Sequence, residues 1–220
     1  MHSNIEANYQ RREPGSSVCL QSRHWAFVMS KQNRIPMLPQ AGKREWIASV
    51  NEKKVVESIS SDSILLDVLR DQIGMLGVKR GCDMGTCGCC AVLVDGEPRL
   101  SCLTLTSEVE GCEITTVEGI ADGHHLSPIQ ETFTTYGGSQ CGFCSPGFLI
   151  VITALLEEND NPSEAEIKAA IEGNLCRCTG YQPIIESIQA AAELLRSGKS
   201  TSNPTSPHSD PHPGFMGDDA

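Results

Sequence analysis

The residues that could do chemistry in this chain are its cysteines, eleven among 220 residues. Four of them form the series Cys82-x4-Cys87-x2-Cys90-x11-Cys102. C-x4-C-x2-C followed by a distant cysteine is the spacing of a plant-type 2Fe–2S site. Three thiolates must then converge from one loop, so the backbone has to wrap around the group they hold. Gly81, Gly85 and Gly88 permit left-handed backbone and a close approach of N–H groups to the sulfurs. Such N–H groups stabilise a negatively charged cluster and help set its potential. Cys102 is expected from a neighbouring strand, after a turn at Asp95-Gly96. Cys89 lies inside the loop but outside the spacing and reads as a small filler. Using it in place of Cys90 would give the poorer series C-x4-C-x1-C.

The second series is Cys141-x2-Cys144, then Cys176-x1-Cys178. Each pair falls between expected helices, so each sits on a turn at a helix end. Pro146 opens the helix after Cys144, which points free N–H groups and the positive end of the helix dipole toward the thiols. Taken alone, two such pairs could bind zinc. Cys-x1-Cys is unusual among zinc spacings, and beside the first series an iron–sulfur reading fits better. Cys112 reads as a buried small hydrophobe or an edge residue, and Cys19 falls in the N-terminal extension.

Eleven cysteines could instead mean disulfides, which need an oxidising compartment. A secretory signal would show a continuous apolar stretch near the start. The longest apolar run there is Trp25 to Met29, and Arg11-Arg12 is followed by Glu-Pro-Gly. A cytoplasmic chain is therefore expected, with a periplasmic one the lesser alternative. No run approaches the ~20 apolar residues of a membrane-spanning helix. The formal net charge is −11, with six Lys/Arg against two Asp/Glu in residues 1–43 and an acidic remainder. An acidic body argues against nucleic acid, because phosphate contacts need clustered Lys and Arg.

The elements that would position these thiols fall into two blocks. Residues 1–43 read as a flexible basic extension, with Met29 or Met37 as alternative starts, and residues 199–220 as a disordered tail in which His208 and His212 are solvated. Residues 44–119 read as a small β-rich domain. Trp46 to Val50 and Val55 to Ile59 are strands joined by a turn at Asn51 to Lys54. Ile64, Leu65, Val68, Leu69 and Ile73 recur at helical spacing, with Ser63 as N-cap and Gly74 as stop. Ala91 to Val94, a strand after Glu97, and Ile114 to Val117 complete an α+β order. Residues 120–198 read as helical. Ser127-Pro128-x-Gln130 and Ser163 to Glu166 are capping boxes. Pro146 to Leu156 and Pro183 to Arg196 are further helices, and Gly137, Gly173 and Gly198 are stops. Four short helices suggest an antiparallel bundle. His124-His125 reads as a solvated linker.

GCDMGTCGCCAVLVDG from Gly81, Ser101-Cys102, QCGFCSPG from Gln140 and GNLCRCTGY from Gly173 together resemble the small iron–sulfur subunit of the molybdenum hydroxylase family. That family includes xanthine dehydrogenase, aldehyde oxidoreductases and carbon monoxide dehydrogenase. The resemblance covers about residues 44–197. It implies a ferredoxin-like β-grasp domain followed by a four-helix-bundle domain. It implies that Cys82, Cys87, Cys90 and Cys102 hold one 2Fe–2S cluster, nearer a flavin. Cys141, Cys144, Cys176 and Cys178 would hold a second, next to a molybdopterin that Gln140 approaches. The molybdopterin would sit on a large partner subunit and FAD on a medium one. Cys89 stands where the family often has Ala or Ser.

The expected function is an electron-transfer subunit that relays single electrons from a molybdenum centre to FAD or another acceptor. A zinc-stabilised adaptor and a free-standing ferredoxin are the competing readings. No acid–base or nucleophile set stands out, and the substrate would be chosen by a pocket in another polypeptide.

Overall fold

The computed structural model describes residues 42–198 with the exception of His124. Cys19, Arg11-Arg12, the Trp25 to Met29 run, His208, His212 and nearly all of the proposed extension and tail lie outside the described residues.

A five-stranded mixed sheet forms the first part, in the order β2-β1-β5-β3-β4. Strand β1 (Arg44–Val50) buries Trp46, Ala48 and Val50 on one face, the period-2 pattern of a half-covered strand. It pairs antiparallel with β2 (Lys53–Ile59), with Val50 opposite Lys53. The connection is therefore a two-residue turn, Asn51-Glu52, shorter than the four residues expected. Both have positive φ (49° and 63°), which matches the twist of an antiparallel hairpin. β3 (Ala91–Val94) and β4 (Glu97–Leu100) pair around Asp95-Gly96 in the same way. β5 (Glu113–Thr115) runs parallel to β1 and antiparallel to β3.

Two element boundaries differ from expectation. β5 stops at Thr115, and Val117–Gly119 is a 3-10 turn. The Asn51 side chain accepts the Thr116 N–H at 2.8 Å, which takes the chain off the ladder. The helix after β2 is capped by Ile64, not Ser63. Ile64 is bridged in extended conformation to Leu105, while the Ser63 hydroxyl accepts from the Ser60 N–H at 3.0 Å. The chain then makes one short α-helical turn, α1 (Leu65–Asp67), continued as a π-helical turn over Val68–Gln72. Leu65, Leu66, Val68 and Leu69 from these turns fill the core under the sheet with Trp46, Val92 and Ile114.

The second part is helical: α2 (Pro128–Thr135), α3 (Ser145–Glu158), α4 (Glu164–Ile171) and α5 (Gln182–Ser197). Both expected capping boxes form. The Ser127 N–H donates to the Gln130 side chain at 2.9 Å and the Ser163 N–H to that of Glu166 at 2.7 Å. α3 begins at Ser145, one residue before Pro146, and α4 is capped by Glu172 without using Gly173 as a left-handed stop. Ile129, Phe133, Phe148, Ile152, Ile167, Ile171, Ile184 and Ile188 form the core of this part.

β3 is buried along its whole length because it is covered on both faces. Val92 and Val94 point into the sheet's core, while Ala91 and Leu93 pack against Ile150 of α3. Fully burying a residue such as Ile150 is worth about 1.5–3 kcal/mol. This contact lays α3 across the sheet and brings its first turn to the Cys82–Cys90 loop. The chain is thus mixed α+β, with a small sheet and five helices among the described residues. Among those residues no helix is long and apolar enough to cross a membrane.

Candidate metal centres

The first thiol group is built by the irregular segment between the π-helical turn and β3, plus the 3-10 turn Ser101–Leu103 that comes after β4. Cys102 thus arrives on that turn, just beyond the strand itself. The Cys82 sulfur accepts N–H groups of Met84 at 3.5 Å and Thr86 at 3.3 Å. Gly85 and Gly88 have positive φ (74° and 71°), as their place in a wrapped loop requires. Gly81 does not; its role is space, since a Cβ there would lie 2.7 Å from the Cys87 sulfur. Cys82 interacts with Cys87, Cys102 with Cys90, and Cys102 also feels Cys82, so these four thiols face one another.

The electrostatics fit an anionic group held by amides. Hydrogen bonds from the Thr86 side chain and the Met84 and Thr86 backbone bring the Cys82 thiol down to about 6. Burial pushes Cys102 up to about 11, with Cys90 beside it adding to the rise. Burial also raises Cys87. Thiols this close and this buried ionise together only if a cation compensates them.

The second group is carried by the turn before α3 and the turn between α4 and α5. Cys144 is the N-cap of α3, and Cys176 and Cys178 precede Tyr181, the N-cap of α5. Cys141 interacts with Cys178 and Cys144 with Cys176, and Cys141 also feels Cys176. The Phe143 N–H, with Cys178, lowers the Cys141 thiol. Burial pushes Cys144 up to about 12. Burial acts against Cys176 too, but the Thr179 hydroxyl, 3.1 Å from its sulfur, and nearby N–H groups outweigh it and leave it lowered. Cys141 and Cys178 are exposed, as are Gln140 beside Cys141 and the apolar Phe143 and Leu175. Met84 and Leu103 are exposed beside the first group.

Cys89 is buried between the two groups, close to Cys87 and Cys90 on one side and to Cys144 on the other. Cys112 is buried in the core beneath the sheet. His125 forms a small bridge with Asp122 between the two parts. Four residues that the spacing alone did not single out shape the sites. Asn174 is almost wholly buried and donates from its side chain to the Gly88 carbonyl at 3.2 Å. The Leu175 N–H donates to the Cys87 carbonyl at 3.0 Å. The Tyr181 hydroxyl donates to the Asn174 carbonyl and accepts the Cys176 N–H, each at 3.0 Å. Gly147 brings the backbone of α3 against Gly88 and Cys89. All four lie within the quoted motifs, and the partners of Asn174, Leu175 and Gly147 are far away in sequence, on the Cys87–Cys89 segment.

Four thiols apiece, with amides aimed at the sulfurs, are the kind of donor set that a 2Fe–2S group takes.

Comparison with known proteins agrees. Residues 36–133 match the family described as 2Fe-2S iron-sulfur cluster binding domain, and residues 116–189 match the 2Fe-2S binding domain family. The chain is 45% identical to the nicotine 6-hydroxylase small subunit of Paenarthrobacter nicotinovorans, over 63% of this chain and 84% of that one. It is 40% identical to the aldehyde oxidoreductase of Megalodesulfovibrio gigas over 64% of this chain, but spans only 16% of that protein's length. Among solved structures, quinoline 2-oxidoreductase from Pseudomonas putida 86 matches with a TM-score of 0.69 and 42% identity, covering 73% of this chain and all of that one. With one thiol group in each matched domain, the chain belongs to the family of small 2Fe–2S iron–sulfur subunits of the molybdenum hydroxylases.

Proposed function

We propose that this chain is the electron relay of a molybdenum-dependent hydroxylase or dehydrogenase. Cys82, Cys87, Cys90 and Cys102 hold one 2Fe–2S cluster, and Cys141, Cys144, Cys176 and Cys178 hold the other. When bound, each cluster accepts and releases one electron at a time. The protein's own part is to supply eight thiolates, aim amides at them, and hold the groups a fixed distance apart. The observation that carries this reading is the grouping itself: two sets of four thiols, each built by a separate part of the fold, with Cys89 buried between them.

In the same reading, residues 44–119 form a β-grasp ferredoxin-type domain and residues 120–198 a four-helix-bundle domain. The face around Gln140, Cys141, Phe143, Leu175 and Cys178 docks on a large molybdopterin-binding subunit, with Gln140 toward the pterin. Exposed thiols beside exposed apolar side chains support this, since such patches mark interfaces. Met84 and Leu103 beside the first group mark the side toward a medium FAD-binding subunit. A cytoplasmic setting belongs to the reading, because eight thiols must stay reduced until iron and sulfide are inserted.

The partner assignment is tested by isolating the chain under native conditions from cells that produce it. A large chain containing molybdopterin is expected to accompany it. Replacing Phe143 and Leu175 with Asp should release that chain while iron content is kept. A chain that copurifies with no molybdenum protein and is indifferent to those substitutions contradicts the relay.

A further inference from the structure

We propose that Asn174 is a positioning residue whose clamp on the Cys87–Gly88 backbone sets the spacing between the two thiol groups. The inference rests on the relay reading above and assigns part of the spacing to a particular side chain.

The clamp has two prongs. Consecutive carbonyls, of Cys87 and Gly88, are taken by consecutive residues: the Leu175 N–H at 3.0 Å and the Asn174 side-chain amide at 3.2 Å. Gly88 can present its carbonyl this way because its φ is +71°, and a Cβ on it would lie 2.5 Å from the Asn174 amide nitrogen. The residues on either side of this contact are donors to different groups. Cys87 belongs to the first, and Cys176, next to Leu175, belongs to the second. One hydrogen bond therefore joins the backbone of the two thiol-bearing loops.

Asn174 is itself held. Its N–H donates to the Ile171 carbonyl at 2.9 Å, which fixes it to the end of α4, and its carbonyl accepts from Tyr181. The Tyr181 ring packs edge-to-face on Phe148, with centroids 6.1 Å apart. Gly147 of α3 also lies close against the Gly88 carbonyl and Cys89. The Gly88 peptide is thus held between α3 and the α4–α5 turn. An amide buried this deeply loses its solvation on folding, and the Gly88 carbonyl is what compensates it. The sheet–helix core through Leu93 and Ile150 brings the two halves together, and the clamp sets the last separation between thiols.

The experiment uses the full chain carrying its clusters, fully reduced and studied by low-temperature electron paramagnetic resonance. Two nearby unpaired spins split each other's lines, and the splitting falls with the cube of their separation. The parent should show this splitting. In N174L, iron, sulfide and both signals should persist while the splitting is reduced or lost. The Leu175 amide should also exchange with solvent roughly tenfold faster, as for the loss of a single hydrogen bond. An unsplit parent spectrum, or a parental splitting in N174L, overturns the inference. Should N174L fail to hold its clusters, N174A, which removes the same donor without adding bulk, decides: a reduced splitting with both signals kept supports the clamp, and a parental splitting or the loss of its clusters too overturns it. Missing iron or a missing signal in the parent counts against the relay reading itself, so the two failures are distinct.

Discussion

The N–H of Leu175 donates to the carbonyl of Cys87 at 3.0 Å, across 88 positions of sequence and between the two thiol-bearing loops. This bond makes the two cluster-binding parts one mechanical unit at the point where their thiols approach. The two groups are nonetheless built by separate elements, so each can be removed without the other.

Removing single ligands should show this. C102S is expected to lose one resonance signal and about half of the iron, and C178S the other signal and the other half. The check is iron analysis with electron paramagnetic resonance on each variant. A single substitution that erases both signals would contradict separate groups.

Cys89 and Cys90 are adjacent, but in the proposed ligand sets only Cys90 is a donor. C89A should keep its full iron content, because Cys89 lies between the groups and completes neither. C90A should lose the first group. Quantifying iron and labile sulfide in the two variants separates them, and iron loss in C89A would move Cys89 into the ligand set.

Gly147 has no room for a side chain, because a Cβ would run into the Gly88 carbonyl and come within 3.0 Å of the Cys89 Cα. G147A should therefore destabilise the fold by about 1–3 kcal/mol, the usual cost of overpacking. Thermal unfolding of the parent and the variant measures it, with a Tm several degrees lower expected. An unchanged Tm would mean that α3 stands off the loop.

Glu166 gives a pH signature. Hydrogen bonds from the Ser163 side chain and backbone hold its carboxyl below the ordinary value of 4.5. A depressed native value means that this stabilisation is fully present above 4.5 and fades as pH falls through the lowered value. Melting temperatures measured from neutral pH down into the acid range should fall less steeply for E166Q than for the parent. Parallel curves would show that the capping box does not depend on ionisation.

Local chemistry was legible in the sequence. Asp95-Gly96 sits in the hairpin turn it signals, and Ser127 with Gln130, like Ser163 with Glu166, forms a capping box. Thiol spacing marks two sets of four cysteines, and within each set neighbouring thiols interact. What the sequence did not reveal depends on distant partners. Ser63 has the side chain of an N-cap, but the bridge from Ile64 to Leu105 delays the helix. Val117 has the side chain of a strand residue, but Asn51 captures the Thr116 N–H and ends the ladder first. In the sequence Asn174 is one polar residue within a motif. Its meaning comes from Gly88, 86 residues earlier, and no periodicity encodes that pairing.

In the proposed relay the two thiol groups each hold a 2Fe–2S cluster. This is tested most directly by reducing the purified chain and counting unpaired spins alongside iron and labile sulfide. Two distinct signals are expected, with about two spins, four iron and four sulfide per chain. One signal or none, or zinc in place of iron, would contradict it.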